Sequence, residues 1–180
     1  MKIFKKIIIA LAILVGILLI AGLFLKKDYS VEREIVINKP KQEVFDYIKL
    51  LKNQDYFSKW SMQDPNAVKT YRGIDGTPGF VATWNSKNNE VGAGEQEIKK
   101  ITEGDRMDVE LRFKVPFEST ENAYFITEAI SPTQTKVKWG FNGHTGYPMN
   151  LMCVFMNFEG MVGNDLNIGL INLKGVLEKK

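Results

Sequence analysis

The chain carries a single histidine, His144, inside the stretch KWGFNGHTGYPMN (residues 138–150). An imidazole titrates near neutral pH and acts as a general acid or base when a partner fixes its tautomer. No carboxylate lies within 138–150, so such a partner must come from elsewhere in the fold. Glycines on both sides hold a ring poorly, and catalysis penalises loose positioning. His144 therefore reads as a loop or rim residue that meets the polar end of a ligand. Glu159 interrupts the apolar run that begins NLMCVFMNF. It reads as part of an exposed helix face, with a cavity acid or ligand anchor as the alternative. Cys153, in the same run, reads as an inert buried thiol rather than a nucleophile. One His and one Cys do not make a zinc site, and no EF-hand spacing is present, so no metal is expected. GAGEQE (92–97) starts like a dinucleotide fingerprint, but residue 97 is Glu and no helix follows. Gly92 and Gly94 read instead as a bulge or bend in a sheet, and no cofactor is expected. There is no G-x-S-x-G nucleophile elbow.

Composition bounds what can position these groups. Of 180 residues, 44% are apolar, enough for a packed core and too many for global disorder. Residues 7–25, IIIALAILVGILLIAGLFL, form a 19-residue run with no polar side chain. As a helix this run is about 28 Å long, close to the thickness of a bilayer's hydrocarbon. Lys2, Lys5 and Lys6 precede it, and Lys26 and Lys27 follow. A secretory signal peptide has a shorter apolar region and a small-x-small cleavage site. AGLFLKKDYS offers no such site, so the run reads as a retained single-pass anchor through residues 7–25. The N-terminus inside and the domain outside, the common single-anchor arrangement, is the expected topology. Residues 1–27 hold five of the 24 basic residues and none of the 21 acidic ones, which leaves 19 against 21, a net of −2, for the remainder. No basic run remains there to track a phosphate backbone, so nucleic acid is not an expected partner. The chain divides into an anchor, 1–27, and a domain, 28–180.

Periodicity gives the elements of that domain. Residues 28–40 alternate as a strand, with Val31, Arg33, Ile35 and Ile37 on one face. Residues 40–53 change to helical spacing through Val44, Phe45, Ile48 and Leu51, with Pro40 suited to a first turn. A second short helix is expected over 55–60, then turns and a short strand at 68–72. Strands follow at 80–86, 91–101, 105–115, 122–130 and 135–143. The cleanest alternation places Met107, Val109, Leu111, Phe113 and Val115 on one face, and Arg106, Asp108, Glu110, Arg112 and Lys114 on the other, as in a half-exposed antiparallel strand. Residues 149–180 return to helix in two parts, broken near Gly160 to Gly163, with Asn164 as N-cap of the second. Leu166, Leu170, Leu173 and Leu177 form its stripe. Gly169 and Gly175, each costing about 1 kcal/mol in a helix interior, point to close approach to the sheet or to a helix held by something other than propensity. This order is a two-layer α+β domain.

The stretches VEREIVINKPKQEVFDYI, SKWSMQDPN, TYRGIDGTPGFVATW, VGAGEQEIKKI, KVKWGFNG and NDLNIGLINLKGVLEK, in this order and spacing, resemble the START-like SRPBCC superfamily in its polyketide cyclase/dehydrase and lipid transport branch. The resemblance covers nearly all of 28–180. It implies a helix-grip: an antiparallel sheet curled around a long C-terminal helix, leaving an apolar cavity for a lipid, sterol, polyketide or other hydrophobic molecule. Two departures are the N-terminal anchor and Met62, which stands where many relatives have proline after Trp-Ser. The superfamily has no universal catalytic residue, so none is carried over. The cavity candidates are Phe80, Trp84, Met107, Val109, Leu111, Phe113, Trp139 and Phe141 from the strands and Leu166 and Leu170 from the helix. His144, Tyr147 and Glu159 are candidates from the connecting segment.

The expected function is a membrane-anchored domain that binds a hydrophobic small molecule or lipid. One alternative is a cyclase/dehydratase-like or hydrolytic enzyme using His144 or Glu159 as acid or base. Another is a structural or interaction domain whose core is simply filled. Washing membranes with alkaline carbonate is expected to leave the full chain in the membrane fraction; its release, or a mature protein lacking residues 1–25, would contradict the anchor.

Overall fold

Apolar side chains at every second position give each strand one greasy face, and that face decides which side of the sheet the helices must cover. The structure is a computed structural model and describes residues 2–151 and 157–179. After helix α1 (Lys2–Phe24) comes β1 (Asp28–Ile37), then α2 (Lys41–Ile48), a 3-10 turn (Leu51–Tyr56) and α3 (Lys59–Gln63). Six strands follow: β2 (Val68–Arg72), β3 (Val81–Asn85), β4 (Ala93–Thr102), β5 (Arg106–Val115), β6 (Ser119–Ser131) and β7 (Gln134–His144). The last described helix is α4 (Phe158–Glu178).

The seven strands form one antiparallel sheet in the order β1-β7-β6-β5-β4-β3-β2. β1 therefore enters from α1 at one edge and pairs with the last strand, Asp28 opposite His144 and Ile37 opposite Thr135. A register shift at Ala93/Gly94 marks a bulge in β4, and Gly92 just before it has a φ of +61°. This is the bulge or bend read from GAGEQE.

α4 lies along β1 and runs in the same direction. Its first turn is beside Tyr29, Gly163 faces Arg33, Lys174 donates to the Val36 carbonyl at 2.8 Å, and the Asn38 N–H donates to Glu178 at 2.6 Å. A 21-residue helix and a ten-residue strand are both about 32 Å long, so each covers the other. The leucine stripe is buried: Leu166, Leu170, Leu173 and Leu177. The expected break at Gly160–Gly163 and the expected N-cap at Asn164 are both corrected. α4 is continuous through these residues, and its N-cap is Asn157, in the left-handed region with φ 47°. The two glycines make room instead of ending the helix. A Cβ on Gly163 would overlap the Arg33 guanidinium, and one on Gly160 would overlap the Asn157 side chain. Gly169 does face the sheet, since a Cβ there would lie 2.6 Å from Trp139 Cζ3, whereas Gly175 meets nothing within 4 Å. Cys153 lies outside the described residues.

Two further expectations change. The first domain helix ends at Ile48, not at 53, and the helix expected at 55–60 is the 3-10 turn followed by α3. Asp75 holds that turn by accepting the Leu51 and Lys52 N–H groups at 2.8 and 3.2 Å, a tertiary contact that local periodicity does not contain. The turn places Phe57 and Trp60 over Trp139. Trp139 stacks on Phe125 at 4.6 Å and meets Phe57 and Trp60 edge-on at 5.8 and 6.0 Å. Such pairs add about 0.5–1.5 kcal/mol beyond burial. Trp60 is thus a packing residue, and the space under α4 around Trp139 is filled by protein. The sheet's other face is charged, with Arg112 bonded to Glu95 and Glu97 at 2.7 and 2.8 Å and also to Glu110. Replacing Trp139, which is 5% exposed, by Ala is expected to cost about 3–5 kcal/mol, read as a lower denaturation midpoint of the detergent-solubilised chain with an unchanged slope.

Candidate functional site

Helical cover runs out toward one end of the sheet. Along β5, Met107 and Val109 are buried, Leu111 and Phe113 are half-buried, and Val115 is exposed. Along the chain at β3, Phe80 and Ala82 are buried and Trp84 is half-buried. Trp84 meets Phe113 edge-on at 5.9 Å above Gly94, and its indole N–H donates to the Val91 carbonyl at 3.1 Å. This end of the sheet is also where α1 delivers the chain to β1.

At the same end a cleft of about 600 Å3 opens between the start of β1, the start of β6, the end of β7 and the first turn of α4. Lys26, Asp28, Tyr29, Ser30, Thr120, Glu121, Asn122, Asn142, Gly143, His144 and Glu159 line it. The structure therefore brings together His144 and Glu159, two residues singled out from sequence alone. Glu159 is exposed at the rim, in the first turn of α4, where a carboxylate complements the helix dipole. His144 is the last residue of β7, not a loop residue, because pairing with Asp28 of β1 extends the strand past Gly143. That pairing also supplies the carboxylate missing from 138–150: His144 Nδ1 lies 2.6 Å from Asp28 Oδ1. Both side chains are well solvated, at 60% and 86% exposure, so the contact orients the ring without removing it from water.

The buried group of the cleft is Glu121. It is in phase with Ala123 and Phe125, so the alternation of β6 turns its side chain to the apolar face. It accepts the backbone N–H of His144 at 3.0 Å. Gly143 makes this possible: a Cβ there would overlap the Tyr29 ring and lie 2.6 Å from the Glu121 carboxylate. Burial pushes the Glu121 carboxyl above the usual carboxylate range, while hydrogen bonds from the His144 N–H and the Ser119 hydroxyl pull it back. Across the sheet Glu121 pairs with Leu111, and Ser119 with Phe113. One polar group thus borders a half-buried apolar surface of Leu111, Phe113 and Trp84.

The remaining residues fall elsewhere. Met107, Val109, Trp139, Phe141, Phe80, Leu166 and Leu170 belong to the core, Phe141 stacking on Tyr29 at 6.1 Å. Tyr147 is exposed in the β7–α4 connection and does not line the cleft. Sequence reading missed Glu121, Asp28 and Tyr29. Extending the β6 alternation two residues back from Ala123 would have found Glu121. Asp28 has no such signal, because its role depends on β1 pairing with β7.

The chain matches no protein-family model and no curated protein. It is similar in structure to a point mutant of norcoclaurine synthase from Thalictrum flavum solved with a transition-state analogue, at a TM-score of 0.62 and 8% identity, covering 84% of this chain and 95% of that one. It is similar to a protein from Mesorhizobium loti at a TM-score of 0.60 and 12% identity, covering 84% and 98%. It is also similar to Ara h 8.0201 at 0.54 and 15%, covering 85% and 99%. The fold is the helix-grip. In this helix-grip domain α4 is the gripped helix, and the cleft lies where the grip opens.

A raised carboxyl binds its proton more tightly folded than unfolded, so Glu121 loses stability for the fold as pH rises through and above the ordinary glutamate value near 4.5. Glu121→Gln keeps an acceptor for the His144 N–H and removes the buried charge. Its melting temperature is expected to exceed that of the parent at pH 7–8, and the difference to shrink toward pH 4; a variant less stable at pH 8 than the parent would contradict the burial of this charge.

Proposed function

We propose that this chain is a membrane-anchored binding domain for a hydrophobic small molecule or lipid with a polar end. The polar end lies in the cleft against Glu121 and His144, and the apolar part lies over Leu111, Phe113 and Trp84. α1 is the single-pass anchor, with the helix-grip domain on the extracytoplasmic side. The observation that carries the reading is Glu121: a carboxyl only 6% exposed, on the apolar face of the sheet, opening into a cleft beside half-buried aromatics. Burying that charge costs stability, and a cost kept at a concave site is the mark of a group that meets a ligand. The helix-grip architecture supports the reading by placing the cleft at the open end of the sheet.

A second reading, acid–base catalysis, draws on the contact between His144 and Asp28, which gives the imidazole an orienting partner. Its solvation favours binding over chemistry, since a catalytic pair gains from exclusion of water.

The full chain is tested in phosphatidylcholine nanodiscs, with mass spectrometry of what it retains. One amphiphile is expected to be enriched over bulk lipid, with retention falling about tenfold in Glu121→Gln, as for loss of a hydrogen bond to a charged group, and falling again in Phe113→Ala. His144→Ala is expected to change affinity by no more than about 1 kcal/mol. Equal retention by parent and variants would favour a filled structural domain. An activity abolished by His144→Ala in a folded chain would put the enzyme first.

A further inference from the structure

The open end of the sheet carries exposed apolar residues that the ligand cleft does not use. Val115 ends β5, Phe117 lies in the β5–β6 turn, and Tyr147 and Met149 lie in the segment after β7. Phe117 is 73% exposed, yet Ile74, in the loop before β3 at the opposite end, is 76% exposed. Exposure alone therefore does not mark a surface; position relative to α1 does.

Three observations fix that position. Among the described residues, α1 meets the domain at its end, where Gly22 is buried against Leu151. There Asn150, itself 1% exposed, donates from Nδ2 to the carbonyls of Gly22 at 2.8 Å and Leu25 at 3.4 Å. These are carbonyls that a helix C-terminus leaves without intrahelical partners, so the contact clasps α1 to the segment after β7. The Thr145 N–H adds a bond to the Lys27 carbonyl at 2.8 Å. Second, only Leu25, Lys26 and Lys27 separate α1 from β1, a link of at most about 11 Å. Third, the register sets the height of the β5–β6 turn. Asp28 is level with His144, Asn142 with Asn122, and Thr120 with Arg112. Val115 is three residues beyond Arg112, about 10 Å further along the strand direction, and Phe117 lies past it. The turn thus extends past the level of Asp28, on the side from which α1 enters the domain.

We infer that this end of the domain is a second membrane contact: Phe117, with Tyr147 and Met149, inserts into the headgroup region of the bilayer that α1 spans. The inference rests on the reading of α1 as a membrane span. Aromatic and thioether side chains suit that layer, and Lys26 and Lys27 sit where ammonium groups reach phosphates. Docked at α1 and at the β5–β6 turn, three strands away in the sheet, the domain cannot swing about its short link. The cleft then opens toward the headgroups, and its ligand is an amphiphile of that same bilayer.

The full chain with Cys153→Ser and either Phe117→Cys or Ile74→Cys, each labelled with a polarity-sensitive nitrobenzoxadiazole dye, is placed in phosphatidylcholine vesicles. The dye at 117 is expected to emit further to the blue, to be quenched by nitroxide-bearing lipid, and to resist aqueous iodide, while the dye at 74 behaves in the opposite way. Equal iodide quenching at both sites, in a chain that carbonate does not extract, would overturn the second contact and leave the anchor standing. Extraction by carbonate would overturn the span and this inference with it. Where Cys153→Ser unfolds the chain, Phe117→Trp in the otherwise native sequence, read by brominated-lipid quenching of the added fluorescence, gives the same discrimination.

Discussion

A seven-stranded sheet has more apolar face than one helix can cover, and the position of α4 along β1 determines how the rest is closed. Trp139 makes that position specific. Its ring fits beneath the helix because Gly169 has no side chain, and it is held by Phe125 from the sheet and by Phe57 and Trp60 from the opposite side. Interiors packed this tightly respond to single atoms, so a helix shifted by one turn would set a side chain against the indole. The ion pair between Lys59 and Asp165 ties α3 to α4, and the bond from Asn172 to the Phe57 carbonyl at 3.2 Å ties the end of the 3-10 turn to α4 around the same contact.

Cover is complete where α2, the 3-10 turn and α3 supplement α4, and it thins toward the end at which β1 begins. The gradient along β5, from buried Met107 to exposed Val115, follows from this distribution. The cleft is therefore a consequence of packing at the other end. Its chemistry comes from a polar residue left on the apolar face. Glu121 is tolerated because the His144 N–H and the Ser119 hydroxyl donate to it and because it borders water. A carboxyl in this setting responds to what enters the cleft: a cationic or hydrogen-bonding group stabilises its charged form, and an apolar one favours the neutral form.

The end of α1 and the cleft occupy the same end of the sheet for a topological reason. β1 leaves α1 and pairs with β7, the last strand, so the start of the domain, the end of the sheet and the first turn of α4 converge. The Asn150 clasp adds a joint to this convergence, because its buried amide donates to carbonyls that the end of α1 leaves without intrahelical partners. Two lysines in the link supply charge at that joint without disturbing the domain's own balance of acids and bases.

Element types were legible because they depend on local periodicity. The alternation in β5, the stripe of Leu166, Leu170, Leu173 and Leu177, and the bulge at Gly92 and Gly94 all stand in the structure where sequence places them. Their burial follows from hydrophobicity acting on a face already defined by spacing. The apolar run of 7–25 is likewise visible without any fold. Helix boundaries at Gly160–Gly163 were not legible, since a glycine reads the same whether it ends a helix or admits Arg33 and Asn157. His144 and Glu159 could be named as chemically able residues, but not as neighbours. The partners that give the cleft its character, Asp28 from the first strand and Glu121 from the sixth, lie 116 and 23 residues from His144 along the chain. Only the antiparallel register that joins β1, β7 and β6 brings them together, because hydrogen-bonded pairing across strands sets side-chain proximity without regard to sequence distance.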